Sequence, residues 1–128
     1  MPYLLDTHAF LWFIGGDERL PLNLRTLITD PENDILLSIA SLWEIAIKTS
    51  LGKLSLGKPF TNLIPTQLAA NTISVLPISL AALNLVTELP FHHRDPFDRL
   101  IIAQAITENL PILSKDAQFS QYSVTLLW

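Results

Sequence analysis

The chain has 128 residues, 49% of them hydrophobic, and a formal charge of −4. That size suits one domain spanning residues 1–128, burying roughly two thirds of its unfolded surface, and the composition excludes intrinsic disorder. Cysteine is absent, which excludes disulfides and thiolate metal sites and suits a reducing cytoplasm, while no apolar run reaches the ~18 residues of a membrane helix and no signal peptide opens the chain.

Tyr3 to Asp6 reads as a short buried strand. Thr7 to Ile14 follows as a helix apolar nearly all round, ended by Gly15-Gly16. Pro21 suits the first turn of a second helix running to about Thr29, and Asp30-Pro31-Glu32-Asn33 is a turn. Ile35 to Leu37 is the next strand, after which Ser38 can cap a helix from Ile39 to Leu51, stopped at Gly52. Pro59 to Asn71 is predicted helical with a break at Pro65, and Ile73 to Leu76 is a strand. Ser79 caps a short helix reaching about Glu88. Asp95-Pro96-Phe97-Asp98 has a cap residue, proline in the first turn and an acid behind it, and starts a helix to about Glu108. Ile112 to Ser114 and Val124 to Leu127 complete the strands. Strands alternating with helices imply an α/β layer structure with a mainly parallel sheet.

Four acids occupy positions that surface solvation explains poorly. Asp6 closes the apolar run Tyr3-Leu4-Leu5, and Glu44 lies within the apolar stretch Ile39 to Ile47. Asp98 precedes Leu100-Ile101-Ile102-Ala103, and Asp116 follows Ile112-Leu113-Ser114-Lys115. A buried carboxylate without a partner costs several kcal/mol, so such groups find a cation, a hydrogen-bond network or a proton. In parallel sheets ligands bind beyond the carboxyl ends of the strands. Asp6 and Asp116 fall at that edge, and Asp98 at a helix N-terminus.

Plainer roles exist for three of them. Asp6 can be a helix cap and Asp116 a turn residue. Glu44 can pair with Lys48 at i+4, although such a pair contributes only ~0.3–0.5 kcal/mol, and Lys48 can instead reach a substrate phosphate. Asp95 is the better cap of its pair, which leaves Asp98 free to bind something. His8, His92 and His93 show no His-x-x-x-His or His-x-Glu spacing, which argues against histidine ligation. An all-oxygen set selects Mg²⁺ or Mn²⁺ over zinc, held as one ion or as two about 3.5–4 Å apart.

The −4 charge argues against an obvious nucleic-acid binder. Setting the four acids aside leaves eight acids against eight Lys and Arg, so nucleic acid is permitted as a substrate. From Ser55 to Pro90 the only charged residues are Lys58 and Glu88. Either another chain covers part of this stretch, together with the apolar helix Phe10 to Ile14, or it packs on the core.

Four blocks carry a resemblance. They are Leu4-Leu5-Asp6-Thr7-His8, Ser41 to Lys48, His93 to Arg99 with Ile101-Ile102-Ala103-Gln104-Ala105, and Leu113-Ser114-Lys115-Asp116. In order and spacing they resemble the motifs of PIN-domain proteins, most nearly the VapC-type toxin ribonucleases of type II toxin–antitoxin systems. The resemblance implies a three-layer α/β/α fold with a central, mainly parallel sheet of about five strands, and a Mg²⁺- or Mn²⁺-dependent endoribonuclease. It also implies a homodimer and inhibition by a cognate antitoxin. Carried over by position, Asp6, Glu44, Asp98 and Asp116 are the catalytic and metal-binding quartet. Asp95, Ser114, Thr7 and Lys48 are secondary candidates.

Other functions fit less well. A haloacid-dehalogenase-type phosphatase needs a second Asp where His8 stands, and a phosphotransfer receiver needs an acid pair that is missing. A catalytically silent interaction module of the same fold would have lost acids, and none is lost.

Overall fold

A computed structural model describes residues 1–128. Strand β1 is Pro2–Leu5, β2 is Asp34–Ser38, β3 is Ile73–Leu76, β4 is Ile112–Leu113 and β5 is Leu126–Leu127. The helices are α1 (Thr7–Ile14), α2 (Leu22–Thr29), α3 (Ile39–Ser50), α4 (Phe60–Ala70), α5 (Leu80–Val86) and α6 (Pro96–Glu108). A 3₁₀ turn, Ala117–Gln121, lies between β4 and β5 and had no counterpart among the predicted elements.

The five strands form one sheet in the order β3-β2-β1-β4-β5, and every pairing is parallel. The expected "mainly parallel" sheet is therefore wholly so. Both faces must then be covered, and alternation along the strands shows how. Leu5 and Leu113 point into a core shared with Phe10, Leu24, Ile45 and Ile64, from the α1 to α4 side. Their neighbours Leu4 and Ile112 point into the opposite core with Ala82, Ile101, Ile102 and Phe119. Three layers result, with α5 and α6 on the second face.

Several local signals behave as their chemistry dictates. Ser38 accepts from the Ala40 amide, Ser79 from Ala82, and Asp95 from Phe97 and Asp98, each satisfying amides that a helix start leaves free. Asn109 closes α6 in a left-handed conformation at φ 54°. The break expected at Pro65 does not occur, since α4 runs through it from Phe60 to Ala70. Proline removes a single N–H from this helix, and burial of Ile64 against the first core outweighs that loss.

The charge-poor stretch divides between its two readings. Ile64, Ile73, Ala82 and Leu89 are buried, whereas Val75, Leu80 and Leu83 remain exposed. The α1 face expected at an interface is largely internal, because Phe10 and Phe13 lie in the chain's own core. No helix is long and apolar enough to cross a membrane.

Strand order determines where a ligand can sit. From β1 the chain crosses to β2 and β3 on one side and later to β4 and β5 on the other. The crevice beyond the carboxyl ends of β1 and β4 is thus the topological switch point.

Candidate active site

Asp6 is the first residue after β1 and borders that crevice. Its amide donates to Leu113 O of β4 (3.2 Å), and its Oδ1 accepts from the Ala9 amide at 2.7 Å as the N-cap of α1. The cap role and a site role are compatible, since capping engages one carboxylate oxygen. Asp6 is buried, and burial raises its pKa; the Ser114 hydroxyl, the Ala9 amide and His8 oppose that rise, while Asp116 adds to it.

Glu44 reaches the same place from α3 and is also buried. Thr7 donates to its Oε1 at 2.9 Å, and Lys48 Nζ lies 2.6 Å from its Oε2. Thr7 is also 3.0 Å from the Ser41 hydroxyl. Its one proton goes to the carboxylate, which cannot donate, so Ser41 supplies the other bond. The Glu44 hydrogen bond, followed by the pair's charge and the more distant Asp95 and Asp98, raises the Lys48 pKa. Lys48 thus forms the i+4 ion pair with Glu44 while its side chain stays partly exposed.

Asp95 caps α6, its Oδ1 accepting from Phe97 N at 2.8 Å and Asp98 N at 3.1 Å. Asp98, in the first turn, projects from the cap as expected. Burial, then the Asp95 charge, pushes its pKa up to about 7; His93 opposes the rise, and Glu44 and Asp6 add to it. Asp116 caps the 3₁₀ turn through Oδ1, which accepts from Gln118 N at 2.9 Å. Its amide donates to Ser114 Oγ at 3.0 Å, so Ser114 shapes the loop that carries it. The quartet is brought together: Asp98 senses Glu44 and Asp6, and Asp6 senses Asp116.

One member of the cluster escaped the sequence reading. His93 Nε2 lies 2.9 Å from Asp116 Oδ2 and 3.1 Å from Asp98 Oδ2, joining two acids of different blocks. Ligand atoms of His93, Asp98 and Asp116 all fall within 4.8 Å of one another. Neither His-x-x-x-His nor His-x-Glu spacing reveals it, because the partners of His93 are the carboxylates of Asp98 and Asp116. The sign available was the adjacency of His93 to Asp95 and Asp98 in one block. Arg99 was passed over as well. It is buried and donates to the carbonyls of Pro90 (2.9 Å), Val86 (3.1 Å) and Leu89 (3.2 Å), which fixes the loop before His93.

The donor set suits a hard divalent ion. It consists of carboxylate oxygens, where burial and then the neighbouring acids raise the Asp98 pKa to about 7, with Lys48 the only lysine or arginine ion-paired to any of the four. Beside the acids lies a cleft of about 470 Å³, lined among others by Thr7, His8, Trp12, Arg19, Glu44 and Lys48. A second hollow of about 370 Å³ shares His8 and Trp12 with it and adds Asp6, Lys115 and Asp116. Aromatic rings, cations and three of the acids, Asp6, Glu44 and Asp116, therefore line two hollows that meet at His8 and Trp12.

Comparison with known proteins gives concordant findings. The family pattern described as "PIN domain" matches residues 3–124. Ribonuclease VapC16 of Mycobacterium tuberculosis is 40% identical over 57 residues, which is 44% of this chain and 40% of that protein's length. The crystal structure of VapBC2 from Rickettsia felis, bound to a DNA fragment from their promoter, superposes with a TM-score of 0.75 at 20% identity, over 99% of this chain and 98% of that one. A toxin–antitoxin complex from Klebsiella pneumoniae superposes with a TM-score of 0.65 at 16% identity, over 98% of this chain and 96% of its counterpart.

Proposed function

The chain belongs to the PIN-domain family, and from that premise we propose that it is a Mg²⁺- or Mn²⁺-dependent endoribonuclease, the toxin of a toxin–antitoxin pair. The observation that carries this reading is the meeting of Asp6, Glu44, Asp98 and Asp116, from four separate blocks, at the switch point of the sheet. The name of the mycobacterial relative and the description of the Klebsiella complex support the nuclease and antitoxin parts.

Asp6 and Asp98 are the ligands best suited to hold the ion, with Glu44 and Asp116 completing the acidic wall. A bound divalent ion supplies a more acidic water and stabilises charge developing on a phosphodiester. The protein's own groups prepare for this. Thr7 and Lys48 each engage one oxygen of Glu44 and hold it in orientation. Asp95 sets the start of α6 and so the direction from which Asp98 enters. Ser114 holds the backbone of Asp116. His8 and Trp12, their rings 5.8 Å apart at the cleft, offer aromatic surface against which an unpaired base can stack, while Arg19, which lies over Trp12, is paired with Asp17 at 2.7 Å. Single-stranded RNA is the substrate such a surface suits.

In this reading the protein acts in the cytoplasm, forms a homodimer and is silenced by a cognate antitoxin. Exposed Leu80 and Leu83 on α5, and Ile39 and Trp43 one turn apart on α3, are apolar surface of the kind such interfaces use. The test is hydrolysis of single-stranded RNA by the purified chain. Cleavage should require added Mg²⁺ or Mn²⁺ and cease with EDTA; no cleavage with either ion would overturn the proposal.

A further inference from the structure

We propose that His93 is a positioning residue, its imidazole held as the Nε2–H tautomer with that N–H donated to Asp116 beside Asp98, so that the two acids are preset as a donor pair. Its importance for catalysis rests on the reading above, but its chemistry follows from the local geometry alone.

The ring has little freedom. His93 is 7% exposed, and its imidazole lies against Phe119 with centroids 5.6 Å apart. Its backbone N–H donates to Tyr122 Oη at 2.9 Å, and the Tyr122 hydroxyl donates in turn to Pro90 O at 2.7 Å. Arg99 grips the same carbonyl together with those of Val86 and Leu89, and its guanidinium stacks 4.1 Å above Phe91. A buried guanidinium with no carboxylate partner is unusual. Here its donors hold three carbonyls of the chain leading to His93.

The tautomer follows from donor and acceptor counting. Nδ1 lies 3.2 Å from the Asp95 amide, which can only donate, so Nδ1 carries a lone pair. The ring proton is then on Nε2, which donates to Asp116 Oδ2 at 2.9 Å, with Asp98 Oδ2 3.1 Å away. Although His93, Asp98 and Asp116 form a compact cluster, Nε2 is therefore not a metal ligand. It is a donor to Asp116, which can be one, and lies beside Asp98, the arrangement in which partners behind the ligands tune a metal site. Asp95 participates twice, its amide orienting the ring while its carboxylate sets the start of α6.

The test is a long-range ¹H–¹⁵N correlation spectrum of ¹⁵N-labelled protein at neutral pH, with His93 assigned by the signals lost in His93→Gln. The expected pattern is an unprotonated Nδ1 and a protonated Nε2, before and after saturation with Mg²⁺. A proton on Nδ1, or loss of the Nε2 proton when Mg²⁺ is added, overturns the proposal. Manganese affinity, read by electron paramagnetic resonance, separates positioning from ligation. His93→Gln keeps a terminal N–H donor and should bind Mn²⁺ within about threefold of the parent, whereas His93→Leu should bind about 10–100-fold more weakly. Equal affinity in parent, Gln and Leu forms removes any positioning role, and equal weakening in both variants marks the imidazole as a ligand. The spectrum of the parent decides the tautomer even if His93→Leu fails to fold. Failure to cleave RNA would refute the nuclease reading and leave the spectrum unaffected.

Discussion

Asp98→Asn should make the metal-free protein more stable at alkaline pH while destroying its activity. Burial and neighbouring carboxylates move the Asp98 pKa from 3.8 to about 7, so the folded chain holds this proton more tightly than the unfolded chain does. Stability from this group is thus fully present below the unfolded pKa and declines as pH rises from about 4 to about 7. That gap corresponds to at most about 4 kcal/mol, and solvent reaching the side chain reduces the expected effect to about 1–3 kcal/mol. Asparagine keeps the shape and an acceptor oxygen for His93 but carries no charge. In EDTA at pH 8, its melting temperature should exceed that of the parent by on the order of 5 °C, and the two should converge near pH 4. Saturating Mg²⁺ should reverse the ranking, because a ligand at 100 times its Kd adds about 2.7 kcal/mol to whichever form binds it. Calorimetry across pH 4 to 9, with and without Mg²⁺, reads both effects. Parallel pH profiles for the two proteins, or an Asn variant less stable than the parent at pH 8 in EDTA, would refute the reasoning.

Replacing Asp95 separates capping from repulsion: Asp95→Ala should lose about 1 kcal/mol of stability to denaturant, while Asp95→Asn keeps the cap and loses less. Arg99→Met should destabilise by about 2–4 kcal/mol in the same measurement, because it strands three carbonyls that now share a buried guanidinium. Paired Leu80→Glu and Leu83→Glu substitutions should convert a dimer to a monomer by light scattering and leave the melting temperature within a few degrees, since both side chains are exposed.

Local chemistry made most of this molecule readable in advance. Caps at Ser38, Ser79 and Asp95 start helices where their side chains can satisfy free amides, and strand alternation sorts Leu4 from Leu5 into opposite cores. Asp6, Glu44 and Asp98 stood out because a carboxylate among apolar neighbours demands a partner. What remained hidden depends on contacts far apart in sequence. The meeting of β1 with β4 joins residues more than 100 positions apart and follows from strand order, which no local pattern encodes. His93 touches Asp116 across 23 residues, so neither flank announces the other. Nothing in the sequence marks Arg99 as buried, because its partners are main-chain carbonyls that carry no sequence signature. Pro65 gave a local signal that tertiary packing overrode.

The central claim is that the four acids form one divalent-ion site that cleaves RNA. It is tested most directly by measuring Mn²⁺ occupancy and single-stranded RNA cleavage on the same samples of the parent and Asp6→Asn. The parent should bind the ion and cleave; Asp6→Asn should lose both while melting in EDTA at or above the parent's temperature, since burial raises the Asp6 pKa as it does that of Asp98. Undiminished cleavage by Asp6→Asn, or by the parent in excess chelator, would contradict the account.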